Sequence, residues 1–176
     1  SLPAMATSGG PVVVPEENNR VELRYVNEHE REERLSGGVS AWTWDELARA
    51  AGDLDALYVN FISGYEMDLA TAERLRELQM PIYADLHSLF LGEASGGARP
   101  PRRPQDLERW IACFDAVQMN EREFELATGN ADGFDRIQAI TALGPLLAVV
   151  TRGPGGVHYA RRMGWSAPRD WPALRG

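Results

Sequence analysis

The hydrophobic and polar positions along the chain change period several times, and each change predicts an element. Residues 20–26 alternate charged or polar with apolar side chains (Arg20, Val21, Glu22, Leu23, Arg24, Tyr25, Val26), the two-residue period of a strand with one wet face. With the short β-branched run at 12–14, this makes the amino-terminal part β-rich. The dense charge run at 28–34 reads as a solvated turn and edge strand. Gly37 and Gly38 then break the pattern. Thr43 with Glu46 three residues on reads as a capping box opening a short helix through Ala51.

From residue 55 onward the pattern becomes strand, then helix, repeatedly. The apolar strand DALYVNF (55–61) precedes a helix over 68–79 whose Leu69, Ala72, Leu75 and Leu78 form one stripe. The next strand, PIYADL (81–86), is followed by a helix over 105–114 carrying Leu107, Trp110, Ile111 and Phe114. A third strand at 115–119 leads into a helix over 121–128 that Gly129 can end with a left-handed cap. A helix over 134–143, a strand over 146–151 and a strand over 157–160 paired after a glycine turn complete the series. Apolar strands separated by amphipathic helices indicate an α/β fold with a mostly parallel sheet. The segment 92–104 (GEASGGARPPRRP) reads as a long surface loop within one domain, with Arg99, Arg102 and Arg103 solvated.

Composition narrows the chemistry. All 18 basic residues among the 176 are arginine. A Walker A loop, a lysine Schiff base and a Ser-Lys dyad are therefore excluded. A net charge of −8 disfavours nucleic acid as a partner. The single cysteine, Cys113, rules out an intrachain disulfide and a multi-thiolate zinc site, and fits a reducing compartment. No apolar run approaches the ~20 residues that span a bilayer, and the first ten residues lack the basic and apolar regions of a signal peptide. A cytoplasmic protein with no membrane partner is the expectation.

In a parallel sheet, ligands sit beyond the carboxyl ends of the strands. Those ends carry Asn60, then Asp85 and His87, then Asn120 and Glu123, then Thr151-Arg152-Gly153-Pro154-Gly155-Gly156. Two readings are open for the glycine turn: a tight hairpin, or a cradle whose backbone N–H groups face phosphate. Asn120 and Glu123 likewise read either as a capping box or as a pair serving magnesium through ordered water. Asp85-x-His87 is also a metal-hydrolase pattern, but the chain has only three histidines, so Asp85 reads first as a loop-organising or substrate-facing carboxylate. Asn60 is the second candidate for substrate contact. Ser40 and Ser63 lack a nucleophile elbow.

Taken in order, DALYVNF, PIYADLH, FDAVQMNEREFELATG and LLAVVTRGPGGVHYA resemble the ribokinase-like, or PfkB, carbohydrate kinase family over roughly residues 10–160. The third segment is similar to the family's N-x-x-E signature with its trailing L-x-G, although Ala127 stands where leucine is usual and Leu126 falls one position early. The fourth is similar to its V-T-x-G-x-x-G turn. The resemblance implies a three-layer α/β/α sandwich with a mostly parallel, Rossmann-like sheet. A small β-sheet lid at about 10–36 and a nucleotide-binding core at about 43–160 would make it up. It also implies ATP and Mg2+ as cofactors, a sugar or sugar-like substrate, and a homodimer through the lid. Asn120 and Glu123 would then serve the metal and the triphosphate, and Thr151, Arg152, Gly153, Gly155 and Gly156 the ATP site.

Family members begin with a strand bearing sugar-binding Asp/Asn residues and a Gly-Gly motif, and end with a G-A-G-D-like segment carrying the catalytic aspartate. Neither is present, and Gly37-Gly38 lies after the lid strands. A single partial domain is therefore expected, inactive alone, with its catalytic base beyond Gly176. Ile62 stands where ribokinases carry a sugar-contacting glutamate, which argues against ribose. Two alternatives stand beside the kinase: a non-catalytic nucleotide-binding or dimerisation module, and a metal-dependent hydrolase built on Asp85 and His87.

Overall fold

The computed structural model describes residues 13–26, 31–93, 97–129 and 136–162. Two strands, β1 (Arg20–Tyr25) and β2 (Arg31–Ser36), form an antiparallel hairpin with Val21 opposite Leu35 and Leu23 opposite Glu33. The β-branched run at 12–14 does not join it: Val13 and Val14 lie outside any strand and are exposed, and Val12 lies outside the described residues, as do residues 10–11 and 27–30. Residues 134–135 of the predicted fifth helix and the tail from 163 also lie outside.

The core follows the expected alternation. It comprises α1 (Trp44–Ala51), β3 (Leu57–Asn60), α2 (Leu69–Arg74), β4 (Ile82–Asp85), α3 (Leu107–Ala112), β5 (Ala116–Asn120), α4 (Glu121–Thr128), α5 (Ile137–Ala142), β6 (Leu147–Thr151) and β7 (Val157–Arg161). Local chemistry sets the boundaries. At α1 the Glu46 carboxylate accepts from the Thr43 N–H and hydroxyl at 3.0 and 2.7 Å. At α2 the Asp68 carboxylate accepts the Thr71 N–H at 2.7 Å. The predicted helix over 68–79 tightens into a 3-10 turn at Leu75–Leu78 and stops at Gln79, which is left-handed with φ 55°. Gly129 ends α4 at φ 75°, its N–H reaching the Glu125 carbonyl at 2.8 Å.

The five-stranded sheet runs β3-β4-β5-β6-β7, parallel except for β7, which returns antiparallel along β6. Register places Val59, Ala84, Val117, Ala148 and Ala160 in one row across it. This face is buried with Leu47, Leu75, Ile111, Phe114, Phe124 and Ile140 from the helices and their flanking turns. Phe61, fully buried, meets Trp110 edge-on at 5.6 Å between centroids. The opposite row, through Tyr58, Tyr83, Ala116, Leu147 and Arg161, is half-buried or exposed. The described residues thus supply the sheet and one helical layer. On the open row Tyr83 stacks on Tyr58 at 5.1 Å, and burial, then the nearby Asp85 charge, pushes its phenol up to about 12. Among the described residues no helix is long and apolar enough to cross a membrane.

One expectation fails in the lid and the loop together. The charge run and the arginine cluster were expected to be solvated, yet Glu33 and Arg99 are only 7% and 6% exposed. Segment 97–99 lies against β2, with a bridge between Ala98 and Arg34 and the Arg99 N–H donating to the Glu33 carbonyl at 3.0 Å. The Arg99 guanidinium donates to the Glu33 carboxylate at 2.8 Å. Opposite charges meeting across 66 positions can leave water together, which neither can do alone. Arg103 keeps to the expectation, pairing with Glu108 at the surface.

Candidate functional site

The carboxyl ends of β5 and β6 lie side by side, with Asn120 the register partner of Thr151. β5 runs into α4 without a loop, and Asn120 is extended at φ −85°, ψ 174°. Its side-chain oxygen accepts the Glu123 N–H at 3.0 Å, and Glu123 Oε2 accepts the Asn120 N–H at 2.7 Å. The capping-box reading of this pair therefore holds. Glu123 is 5% exposed, and its other carboxylate oxygen meets Asn120 Nδ2 and His87 Nδ1. With both oxygens engaged, Glu123 can serve a cation only through water unless these bonds open.

The glycine turn divides in two. Arg152 N–H donates to the Gly156 carbonyl at 2.8 Å, Gly155 N–H to Arg152 at 2.9 Å and Gly156 N–H to Gly153 at 3.1 Å. Gly155 and Gly156 thus close the hairpin into β7, while Thr151, Arg152 and Gly153 line a cavity of ≈ 750 Å³. Gly153 and Gly156 hold φ 51° and 84°, conformations that favour glycine. Arg152 Nε donates to Glu121 at 3.1 Å, and its Nη1 lies 3.1 Å from His158 Nε2.

The same cavity is bounded by Tyr25 and Glu33 from the lid and by His87 and Arg99 from the loops after β4. His87 lies between two carboxylates, Nδ1 on Glu123 and Nε2 3.8 Å from Glu33. A continuous chain of ionisable groups, Arg99, Glu33, His87 and Glu123, therefore joins the lid to the start of α4. Arg99 also donates to the carbonyls of Ser63 and Ser88, the latter at 3.2 Å, while its Nε is buried without a partner.

The loop after β3 is built to receive that arginine. Glu66 accepts the N–H groups of Ile62 and Gly64, each at 2.9 Å. Gly64 holds φ 79°, and a Cβ there would sit 2.5 Å from the Ser88 carbonyl oxygen. Gly64→Ala is expected to lower stability by about 1–3 kcal/mol. Gly129→Ala serves as comparison, since its φ is also positive but nothing lies within 4 Å of the added carbon. Urea midpoints should fall further for Gly64→Ala. Equal midpoints would show that the loop yields without loss.

The two predicted substrate residues stand apart from this cavity. Asn60 and Asp85 are register partners, but Asn60 borders a separate groove of ≈ 280 Å³ beside Trp42 and Met67. Asp85 accepts from the His87 N–H at 3.1 Å and from Gln118 Nε2 at 2.9 Å, which makes it a loop-organising carboxylate. The His87 ring turns away to Glu123, so Asp85 and His87 do not converge. No group of three or more His, Cys, Asp or Glu residues among those described could hold a metal ion. Sequence reasoning missed Glu33, Arg99 and Arg122 at the cavity. Only the absence of lysine pointed toward arginine there.

No family model matches the chain, and no curated protein matches it. Solved structures do. A pyrophosphate-dependent kinase of the ribokinase family, in a sulfate complex, is 22% identical with a TM-score of 0.67, over 84% of this chain and 54% of that one. Ribokinase from Thermotoga maritima is 14% identical with a TM-score of 0.59, over 85% and 47%. Arabidopsis thaliana ribokinase complexed with ribose and ATP is 15% identical with a TM-score of 0.55, over 86% and 47%. The chain spans about half the length of these structures. Strand order, register, lid and similarity together give this chain a ribokinase-like α/β fold.

Proposed function

We propose that this chain is the lid and donor edge of a carbohydrate kinase that transfers a phosphoryl group from ATP, with Mg2+, to a hydroxyl of a sugar or sugar-like molecule in the cytoplasm. The observation that carries this reading is the meeting of Asn120, Glu123, Thr151 and Gly153 from adjacent parallel strands in one cavity beneath a β-hairpin. The amino terminus of α4 and the Gly153 backbone suit an anion. Magnesium, when bound, neutralises phosphate charge. Glu123, held by Asn120 and His87, orients the water through which it serves that ion. Thr151 and Gly153 position the phosphates, and Arg152 closes the edge against Glu121. The lid excludes water from the acceptor, and β1, with exposed Leu23 and Tyr25, offers a homodimer surface. Asp85 acts on the acceptor indirectly, by fixing the backbone of His87, while Asn60 borders the separate groove. Among the described residues no aspartate lines the cavity to act as the base.

Pyrophosphate as donor is a second reading, favoured by the likeness to a pyrophosphate-dependent kinase. Calorimetric titration with ATP and with pyrophosphate, each with Mg2+ and then with excess EDTA, tests both. Magnesium-dependent binding of one donor is expected, and its identity decides between the readings. Failure to bind either overturns the proposal. The chain by itself should transfer phosphate to polyols far below the ~1–100 s⁻¹ of typical kinases. A completed reading frame that binds donor but never transfers would identify a non-catalytic nucleotide-binding module instead.

A further inference from the structure

We infer that Arg122 is a donor-contacting residue whose guanidinium grips the terminal phosphates shared by ATP and pyrophosphate; this rests on the donor site proposed above. Three arginines line the cavity, and their circumstances differ. Arg99 is buried and committed to Glu33 and to loop carbonyls. Arg152 is committed to Glu121. Arg122 is exposed on the first turn of α4, between Asn120 and Glu123, and among the described residues its side chain makes no hydrogen bond or ion pair.

The charge balance gives that freedom a use. Glu33, Glu121, Glu123 and Glu125 line the same space, so carboxylates outnumber the three guanidiniums and would repel a polyphosphate arriving alone. A divalent cation offsets part of this repulsion. The rest requires a fixed positive charge not already neutralised, and no lysine exists in the chain to supply it. Guanidinium also suits the task geometrically, since two parallel N–H groups match two phosphate oxygens. Arg122 stands next to the two residues whose backbone and side chains form the anion-favouring end of α4. A phosphate drawn to that helix end would lie within its reach.

The test is calorimetric titration of the full chain with Mg-ATP and with Mg-pyrophosphate, comparing wild type, Arg122→Ala and Arg122→Lys. Because Arg122 is exposed and unpaired, thermal melts should coincide for all three, which separates binding loss from misfolding. Arg122→Ala should weaken the donor or donors that wild type binds by about tenfold or more, with Arg122→Lys intermediate. Donor affinity should also fall less steeply with added salt in Arg122→Ala. Wild-type binding with unchanged affinity in Arg122→Ala overturns this inference and leaves the donor site standing. If both donors bind and only ATP is weakened, the contact lies on the nucleoside side and the terminal-phosphate assignment falls. If wild type binds neither donor, the donor site and Arg122's part in it fall together.

Discussion

Replacing Arg99 with alanine is expected to lower the stability of the fold by about 3–5 kcal/mol. The loss has two sources. Glu33 would remain as a carboxylate at 7% exposure with its guanidinium partner gone. The carbonyls of Ser63 and Ser88 would lose their donor at the same time. A urea denaturation series measures the loss. The double variant Arg99→Met with Glu33→Leu removes both charges and should recover much of it, because a buried pair replaced by apolar groups of similar volume is often nearly neutral. A loss under about 1 kcal/mol for Arg99→Ala, against the range for breaking a buried pair, would mean that water reaches Glu33 and that the lid is not fastened there.

Glu123→Gln is expected to leave the fold almost intact and to damage donor binding. Glutamine is accepted at the third position of a capping box, so the start of α4 should persist. What disappears is the negative charge that His87 and Asn120 hold in place. Removal of such an outer-sphere group typically reduces metal affinity by about 10–100-fold. Donor binding titrated against magnesium should therefore need correspondingly more magnesium in the variant. Asn120→Ala forms the contrast, since loss of the cap should lower stability by about 0.5–2 kcal/mol. If Glu123→Gln binds the magnesium donor complex as tightly as wild type, Glu123 is a helix cap and nothing more.

The elements of this fold were legible because each is specified locally. Thr43 and Glu46, Asp68 and Thr71, and Asn120 and Glu123 are pairs three residues apart that satisfy helix ends from within their own segment. Apolar runs at 57–60, 82–85 and 147–151 declared strands, and the antiparallel return of β7 followed from its glycine turn. The cavity was legible only in part, for the same reason. Asn120, Thr151 and Gly153 lie at strand ends, where topology alone gathers residues. Glu33 and Arg99 looked like solvated charges because their partnership spans 66 positions and no local pattern encodes it. His87 was read beside Asp85 along the chain, whereas its ring answers to Glu123, 36 positions away. Asn60 sits at a strand end like the others, yet β3 is an edge strand of the described sheet, and its end opens onto a different groove.

The fastening of β2 has a consequence for motion. Segment 97–99 grips the strand at Glu33 and Arg34, near its middle, and the Gly38 N–H bonds the Glu17 carbonyl at 3.1 Å below the hairpin. A hairpin held at both places cannot swing about its base like a door. The freedom left to it is flexure of the outer half, where the end of β1 pairs with the start of β2. Opening and closing over the cavity would then bend the strands beyond Glu33, through Arg24 and Tyr25, with Glu33 and Arg99 stationary as the pivot.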